Sequence, residues 1–263
     1  MTMQYNFKST MKDTSIKTIV FSVIRDSNMF NTCVLNNPCT SGLHIVTINN
    51  TLQNKGIPTR YNEFLDTYDF TEPAWIIFCH EDFEIQEPIK PILEDLSPNA
   101  LYGPIGCARK GLFPFRHQCF LGQIKEQKRD GTGSPWIVGH KTNSLTIVET
   151  FDCCCLIAHS SLIQKHDLRF DEKLAFDLYV EDFCAMAKTK HRIDSLILPF
   201  KATHHSGSRP TERLYRHLPY LEQKYRDNCF CASCTYFGTP SSIMRCERKL
   251  ANLFHTLKRL FHN

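Results

Sequence analysis

The chain has no run approaching the roughly 20 consecutive apolar residues that a membrane-spanning helix needs, so it is not expected to cross a bilayer. Its first residues are polar and carry no apolar secretory core. Without export, thirteen cysteines are expected as reduced thiols in a cytoplasm rather than as a disulfide framework. Net charge is also scarce: +4 over 263 residues is too little to make nucleic acid the main partner. No internal repeat or low-complexity tract marks a solenoid or a disordered chain. The small basic excess is concentrated at one end, where residues 245–263 hold five basic side chains (Arg245, Arg248, Lys249, Lys258, Arg259) against the single acid Glu247.

What is present is a composition of 42% hydrophobic and 22% charged residues, enough to bury one substantial core. Three parts are expected: a polar tail over 1–15, a main domain over 16–210, and a helical, basic extension over 211–263. In the main domain, residues 16–24, 44–48 and 74–79 read as short buried strands separated by helix-length connections, with turn and helix over 28–36 and, in the polar stretch to Phe64, a short helix bounded by Gly56 and Pro58. That alternation implies α/β architecture with a mostly parallel central sheet flanked by helices, in which ligands bind beyond the carboxyl ends of strands. Asn49 and His80-Glu81-Asp82 sit at such ends.

Further strands are expected over 101–107, 144–149, 153–158 and 193–200, with Ser160-Ser161 capping a short helix to His166. The Gly-rich stretch 125–134 reads as a mobile loop. Residues 179–189 have helical spacing, which sets Glu181 and Asp182 in a first turn.

The strand end His80-Glu81-Asp82 offers an imidazole and two carboxylates, a donor set suited to Mn²⁺ or Mg²⁺ holding a diphosphate. Taken alone, such a tripeptide is better explained by a polar turn. Asp182 reads as a general base for an acceptor hydroxyl, set against the plainer role of a helix-start acid. His204-His205, after a strand, offers a metal ligand, although adjacent loop histidines more often have none.

On these residues the chain resembles the inverting GT-A-fold glycosyltransferases, and within them a bacterial family 2-like "glycosyltransferase-like" subgroup, over about residues 16–207. The carriers are Phe78-Cys79-His80-Glu81-Asp82-Phe83, similar to a D-x-D metal motif with His80 in the first acidic place, and Gly103-Pro104-Ile105-Gly106. Val148-Glu149-Thr150-Phe151-Asp152, Phe170-Asp171-Glu172, then Phe176, Tyr179, Asp182 and Cys184, and His204-His205-Ser206 with Gly207 complete the series. The resemblance implies a GT-A fold and a metal-dependent transfer, with inversion, from a nucleoside-diphosphate sugar, uridine-based in the first instance, to a glycan or lipid-linked hydroxyl. Asp182 is then the catalytic base, and Asp82, His80, His204 and His205 are the metal ligands. Ser22, Arg25, Asn49 and Glu81 lie at the nucleotide, and Gly106, Asp152 and Glu181 at the donor or acceptor sugar. Asn49 stands where many relatives carry an aspartate, and His80 reduces the negative charge offered to the metal.

Leu250, Leu253, Phe254, Leu257, Leu260 and Phe261 recur at helical spacing among basic residues, so the tail forms a basic amphipathic helix that suits the inner membrane surface equally with packing on its own domain or on a second subunit. Cys229, Cys231, Cys234 and Cys246 are a zinc candidate with unusual spacing, while Cys153-Cys154-Cys155 alternate on a strand as small buried hydrophobes. Two rival functions follow: a binding protein of the same fold without turnover, and an interaction protein organised by zinc.

Overall fold

In the computed structural model, residues 17–112, 117–206, 212–233, 235–238 and 250 are described. The expected tail over 1–15, Gly207, Cys234, Cys246 and, Leu250 apart, the amphipathic stretch 245–263 lie outside the described residues. The first three apolar runs fold as β1 (Lys17–Ile24), β2 (His44–Asn49) and β3 (Ala74–Cys79), with β1 in the middle and parallel to both. Ile19, Phe21 and Val23 face one core cluster, and Val20 and Ile24 the other. Burial on both faces is why β1 and β3 read as continuous apolar runs rather than alternating ones.

Between them run α1 (Ser27–Phe30), capped by the Asp26 carboxylate, a π turn, a 3-10 turn, and α2 (Ile57–Thr67), which has Pro58 in its first turn. The chain continues through β4 (Phe83–Ile85), α3 (Lys90–Glu94), β5 (Leu101–Gly103), β6 (Ile105–Lys110), β7 (His117–Gly122), β8 (Ile124–Glu126), β9 (Trp136–Val138), β10 (Thr146–Val148), β11 (Thr150–Phe151) and β12 (Cys155–His159). Among the described residues it goes on through α4 (Ser160–His166), α5 (Tyr179–His191), β13 (Ser195–Ile197), β14 (Ala202–His204), α6 (Glu212–Lys224), β15 (Cys229–Cys231) and β16 (Tyr236–Gly238).

Among the described residues, the central sheet has seven strands in the order β10-β13-β5-β12-β3-β1-β2, and a four-stranded sheet runs β4-β14-β8-β9. The central sheet is mixed. β12 is antiparallel to both β3 and β5, and β10 to β13, while β1, β2, β3, β5 and β13 all run one way, so the sheet is mostly parallel with two strands reversed. Every residue of β12 is buried, and a strand buried on both faces reads the same in either direction. The expected strand over 153–158 also begins later: Cys153 and Cys154 lie in the turn before β12, so the three cysteines do not alternate on one strand. The cap of α4 is His159, whose Nδ1 accepts from the Ser161 amide, rather than Ser160-Ser161.

The C-terminal part is not all helical. After α6 the chain turns into the β15–β16 hairpin. Leu214, Leu221, Tyr225, Phe230 and Phe237 from these elements join the same core cluster as Phe21, Phe78 and Phe183. No helix among the described residues is long and apolar enough to cross a membrane.

Candidate active site

The carboxyl ends of β1 and β3, the first turn of α5, the tip of the β15–β16 hairpin and the four-stranded sheet surround one cleft of about 700 Å³. That volume suits a drug-sized or nucleotide-sized ligand. Its floor is the end of β3, where the chain leaves the sheet through His80-Glu81-Asp82.

His80, Asp82 and His204 converge there, with one ligating atom from each within 4.8 Å of the others. His204 Nε2 stands 3.4 Å from Asp82 Oδ1, and His80 Nδ1 stands 3.9 Å from the same oxygen. Each imidazole is fixed from behind. His204 Nδ1 bonds Glu126 Oε1 at 3.0 Å. His80 Nε2 bonds the Tyr179 hydroxyl at 2.8 Å, and that hydroxyl donates to the Cys153 carbonyl. With its own proton committed, Tyr179 accepts from His80, which leaves the Nδ1 lone pair of His80 turned toward Asp82. Asp82 Oδ1 and His204 Nε2 are both buried and have only each other, with no well-formed hydrogen bond to either, an arrangement that fits a site for a cation. Burial opposes charge at Asp82, but His204, His80 and Arg129 outweigh it and hold the carboxyl at about 2. Burial likewise opposes charge on His204, but the Asp82 and Glu126 carboxylates outweigh it and raise that imidazole to about 10. Burial lowers His80.

Glu81 is a post for a second cluster. Its Oε2 accepts from the Arg25 and Asp26 amides at 2.5 and 2.8 Å, and its Oε1 accepts from Arg129 Nη2 at 2.5 Å. Arg129 also approaches Asp26 (3.7 Å) and Asp82 (3.8 Å), so one guanidinium spans three carboxylates. It comes from the stretch expected as a loop, whose first residues, Lys125 and Glu126, belong to β8 instead. On the opposite wall Phe176 lies between the guanidinium groups of Arg25 (5.7 Å) and Arg213 (5.0 Å), and Arg213 is ion-paired with Asp177.

α5 begins after Leu178, a non-glycine residue with φ +62°. Glu181 in its first turn lines the cleft beside Asp152. Its Oε2 accepts from the Cys153 thiol at 2.9 Å and its Oε1 from the Ser233 hydroxyl at 3.1 Å. Burial, then the Asp152 charge, push Glu181 up to about 8. A carboxyl at that value is suited to move protons near neutral pH.

Of the residues expected at the site, the fold gathers Arg25, His80, Glu81, Asp82, Asp152, Glu181 and His204 around the cleft. It places the others elsewhere. Asp182 is 2% exposed and turns to α6, where Lys224 Nζ and the Tyr225 hydroxyl both bond it at 2.8 Å. Ser22 is sealed between strands, donating to the Cys79 carbonyl at 2.9 Å. Asn49 closes a turn onto Thr51. Gly106 packs so tightly on β11 that a Cβ would meet the Thr150 carbonyl at 2.4 Å. His205 pairs with Glu84 at 2.9 Å. Cys229 and Cys231 are buried on β15, and among the described residues the only grouping suited to a metal is His80, Asp82 and His204.

Sequence reasoning missed Glu126, Arg129, Trp136 and Ser233. All four come from short strands or loops distant in sequence, with no periodicity to mark them.

No family model matches the chain, and no curated protein matches it. Among solved structures, S. aureus TarS 1–349 is 12% identical, with 90% of this chain and 69% of that one covered and a TM-score of 0.45. TarS 1–349 in complex with UDP is 14% identical, covering 94% and 72%, with a TM-score of 0.44. A further TarS structure is 14% identical, covering 81% of this chain but 40% of that one, with a TM-score of 0.43.

Proposed function

We propose that this chain is a metal-dependent transferase that moves a sugar, with inversion, from a nucleoside-diphosphate sugar to a hydroxyl of a glycan or lipid-linked saccharide. The observation that carries this reading is the convergence of His80, Asp82 and His204, with ligating atoms within 4.8 Å of one another, at the floor of a cleft that also holds a carboxyl raised to about 8. Two imidazoles and one carboxylate favour a first-row transition ion such as Mn²⁺ over Mg²⁺, which prefers oxygen donors. Such an ion, when bound, supplies charge neutralisation for the diphosphate leaving group.

The protein's own groups do the rest. Arg25, Lys128, Arg129 and Arg213 line the cleft and suit a diphosphate. Glu81 fixes Arg129 at the mouth of the metal group. Glu181, held by Cys153 and Ser233, takes the proton of the acceptor hydroxyl as that oxygen attacks the anomeric carbon from the face opposite the diphosphate. The base role expected of Asp182 thus passes to its neighbour, because Asp182 is engaged by Lys224 and Tyr225 away from the cleft.

The test is calorimetric binding of UDP, GDP and CDP, each with and without Mn²⁺, to the wild type and to Asp82→Ala. Binding of one nucleotide that requires Mn²⁺ and is lost in Asp82→Ala is the expected result. Binding of none of the three, or equal binding by the variant, would overturn the reading.

A further inference from the structure

The four-stranded sheet sets four residues side by side, one per strand. Phe83 on β4 is in register with His204 on β14, His204 with Glu126 on β8, and Glu126 with Trp136 on β9. Residues in register on neighbouring strands share a face. The bond from His204 Nδ1 to Glu126 agrees with this arrangement. Trp136 therefore projects on the same side as the metal-directed imidazole, two strand spacings or about 10 Å away along the sheet. It lines the cleft together with Val138, the next residue on that face, while Ile137 between them does not.

Tryptophan is highly buried on average. Trp75, one of only two in the chain, is 1% exposed in the core, yet Trp136 is 41% exposed. It offers a flat apolar surface on a wall that also carries the charged Glu126, Lys128 and Arg129. A pyranose has matching chemistry: one face is a patch of C–H groups that packs on an aromatic plane, while its hydroxyls are left for charged neighbours. A sugar joined to a diphosphate held at Asp82 and His204 begins about one phosphate from those residues, which sets its ring between His204 and Trp136.

We propose that Trp136 is the stacking platform for the sugar ring of the nucleotide sugar, and so a specificity-determining residue of the cleft; this rests on the transferase reading above. The indole recognises the sugar ring and makes no contribution to the affinity of the bare nucleotide.

Because Trp75 is sealed in the core, ligand-induced changes in tryptophan emission report on Trp136. Wild type, Trp136→Ala and Trp136→Phe are titrated in Mn²⁺ with UDP, GDP and CDP and with UDP-glucose, GDP-mannose and CDP-glucose, following emission in the wild type and calorimetric binding in all three. The expected result is a conjugate that binds the wild type about fivefold tighter than its bare nucleotide and shifts the emission where the nucleotide does not. Trp136→Ala removes that advantage while keeping the bare-nucleotide Kd within about twofold, and Trp136→Phe, which keeps a flat ring, regains most of it. An equal emission change with bare nucleotide would make the indole a platform for the base and overturn the proposal. So would a conjugate that binds Trp136→Ala as tightly as the wild type. If no nucleotide binds the wild type, the transferase reading fails and the stacking role with it. If nucleotide binds all three proteins alike and the sugar adds nothing, the stacking role alone fails.

Discussion

The first turn of α5 carries two adjacent carboxylates with opposite surroundings. Glu181 opens onto the cleft and is held by a thiol and a hydroxyl. Asp182, one residue later and about 100° around the helix, faces α6 and meets Lys224 and Tyr225. Burial raises both above the usual carboxyl value, but the lysine opposes the shift only at Asp182. Adjacent acids on a helix therefore divide between chemistry and architecture according to what stands opposite each, which sequence order does not reveal.

The comparison breaks most sharply at Glu181. Glu181→Gln is expected to lower kcat by about 10²–10⁴-fold while leaving nucleotide affinity unchanged, as read by steady-state kinetics and calorimetry. In the wild type, kcat/KM should rise with pH through about 8, where Glu181 loses its proton, and this limb should vanish from the residual rate of the variant. The stability sign is opposite to that of a salt-bridged acid. A folded value of about 8 against the usual 4.5 means that the contribution of Glu181 is full below 4.5 and is lost as pH rises through 8. The Tm of Glu181→Gln relative to wild type should therefore climb as pH rises from 4.5 to about 8 and level off above that.

Asp182→Asn should show the reverse pattern, a loss of about 2 kcal/mol in unfolding free energy from the weakened contacts to Lys224 and Tyr225, with kcat per folded molecule little changed. Denaturant unfolding and active-site-normalised kinetics measure the two quantities. A large fall in kcat without loss of stability would return the base role to Asp182. The smallest effect is expected at Ser233→Ala. Its hydroxyl favours the ionised form of Glu181, so its loss should move the pH limb up by about half a unit and reduce the rate at neutral pH about threefold.

The same contrast runs through what the sequence made legible. β1 and β3 were readable because strands buried on both faces are continuous apolar runs, and α5 because Phe183, Met186 and Ala187 recur at helical spacing. His80, Asp82 and His204 followed from lying at strand ends. The four-stranded sheet was not readable as such: β4, β8, β9 and β14 are three residues each, too short for any period, and the pairing of β4 with β14 joins chain segments more than 100 residues apart. Glu126 and Arg129 were therefore hidden in a polar stretch. The sense of β12 was hidden for another reason, since direction leaves no trace in a strand that is buried throughout.

Leu178 ties these parts together. Its left-handed backbone turn starts α5 and so sets the direction of Glu181, while its side chain is 1% exposed within the main core. A leucine at positive φ is disfavoured by roughly 1–2 kcal/mol and persists only where its surroundings over-determine it. Mutational tolerance at this position is accordingly squeezed from two sides: glycine would accept the torsion but empty the core, and valine or isoleucine would fill the core but resist the torsion. Substitutions among the core neighbours of Leu178 that never touch the cleft should then surface in a genetic screen as loss of turnover rather than loss of protein.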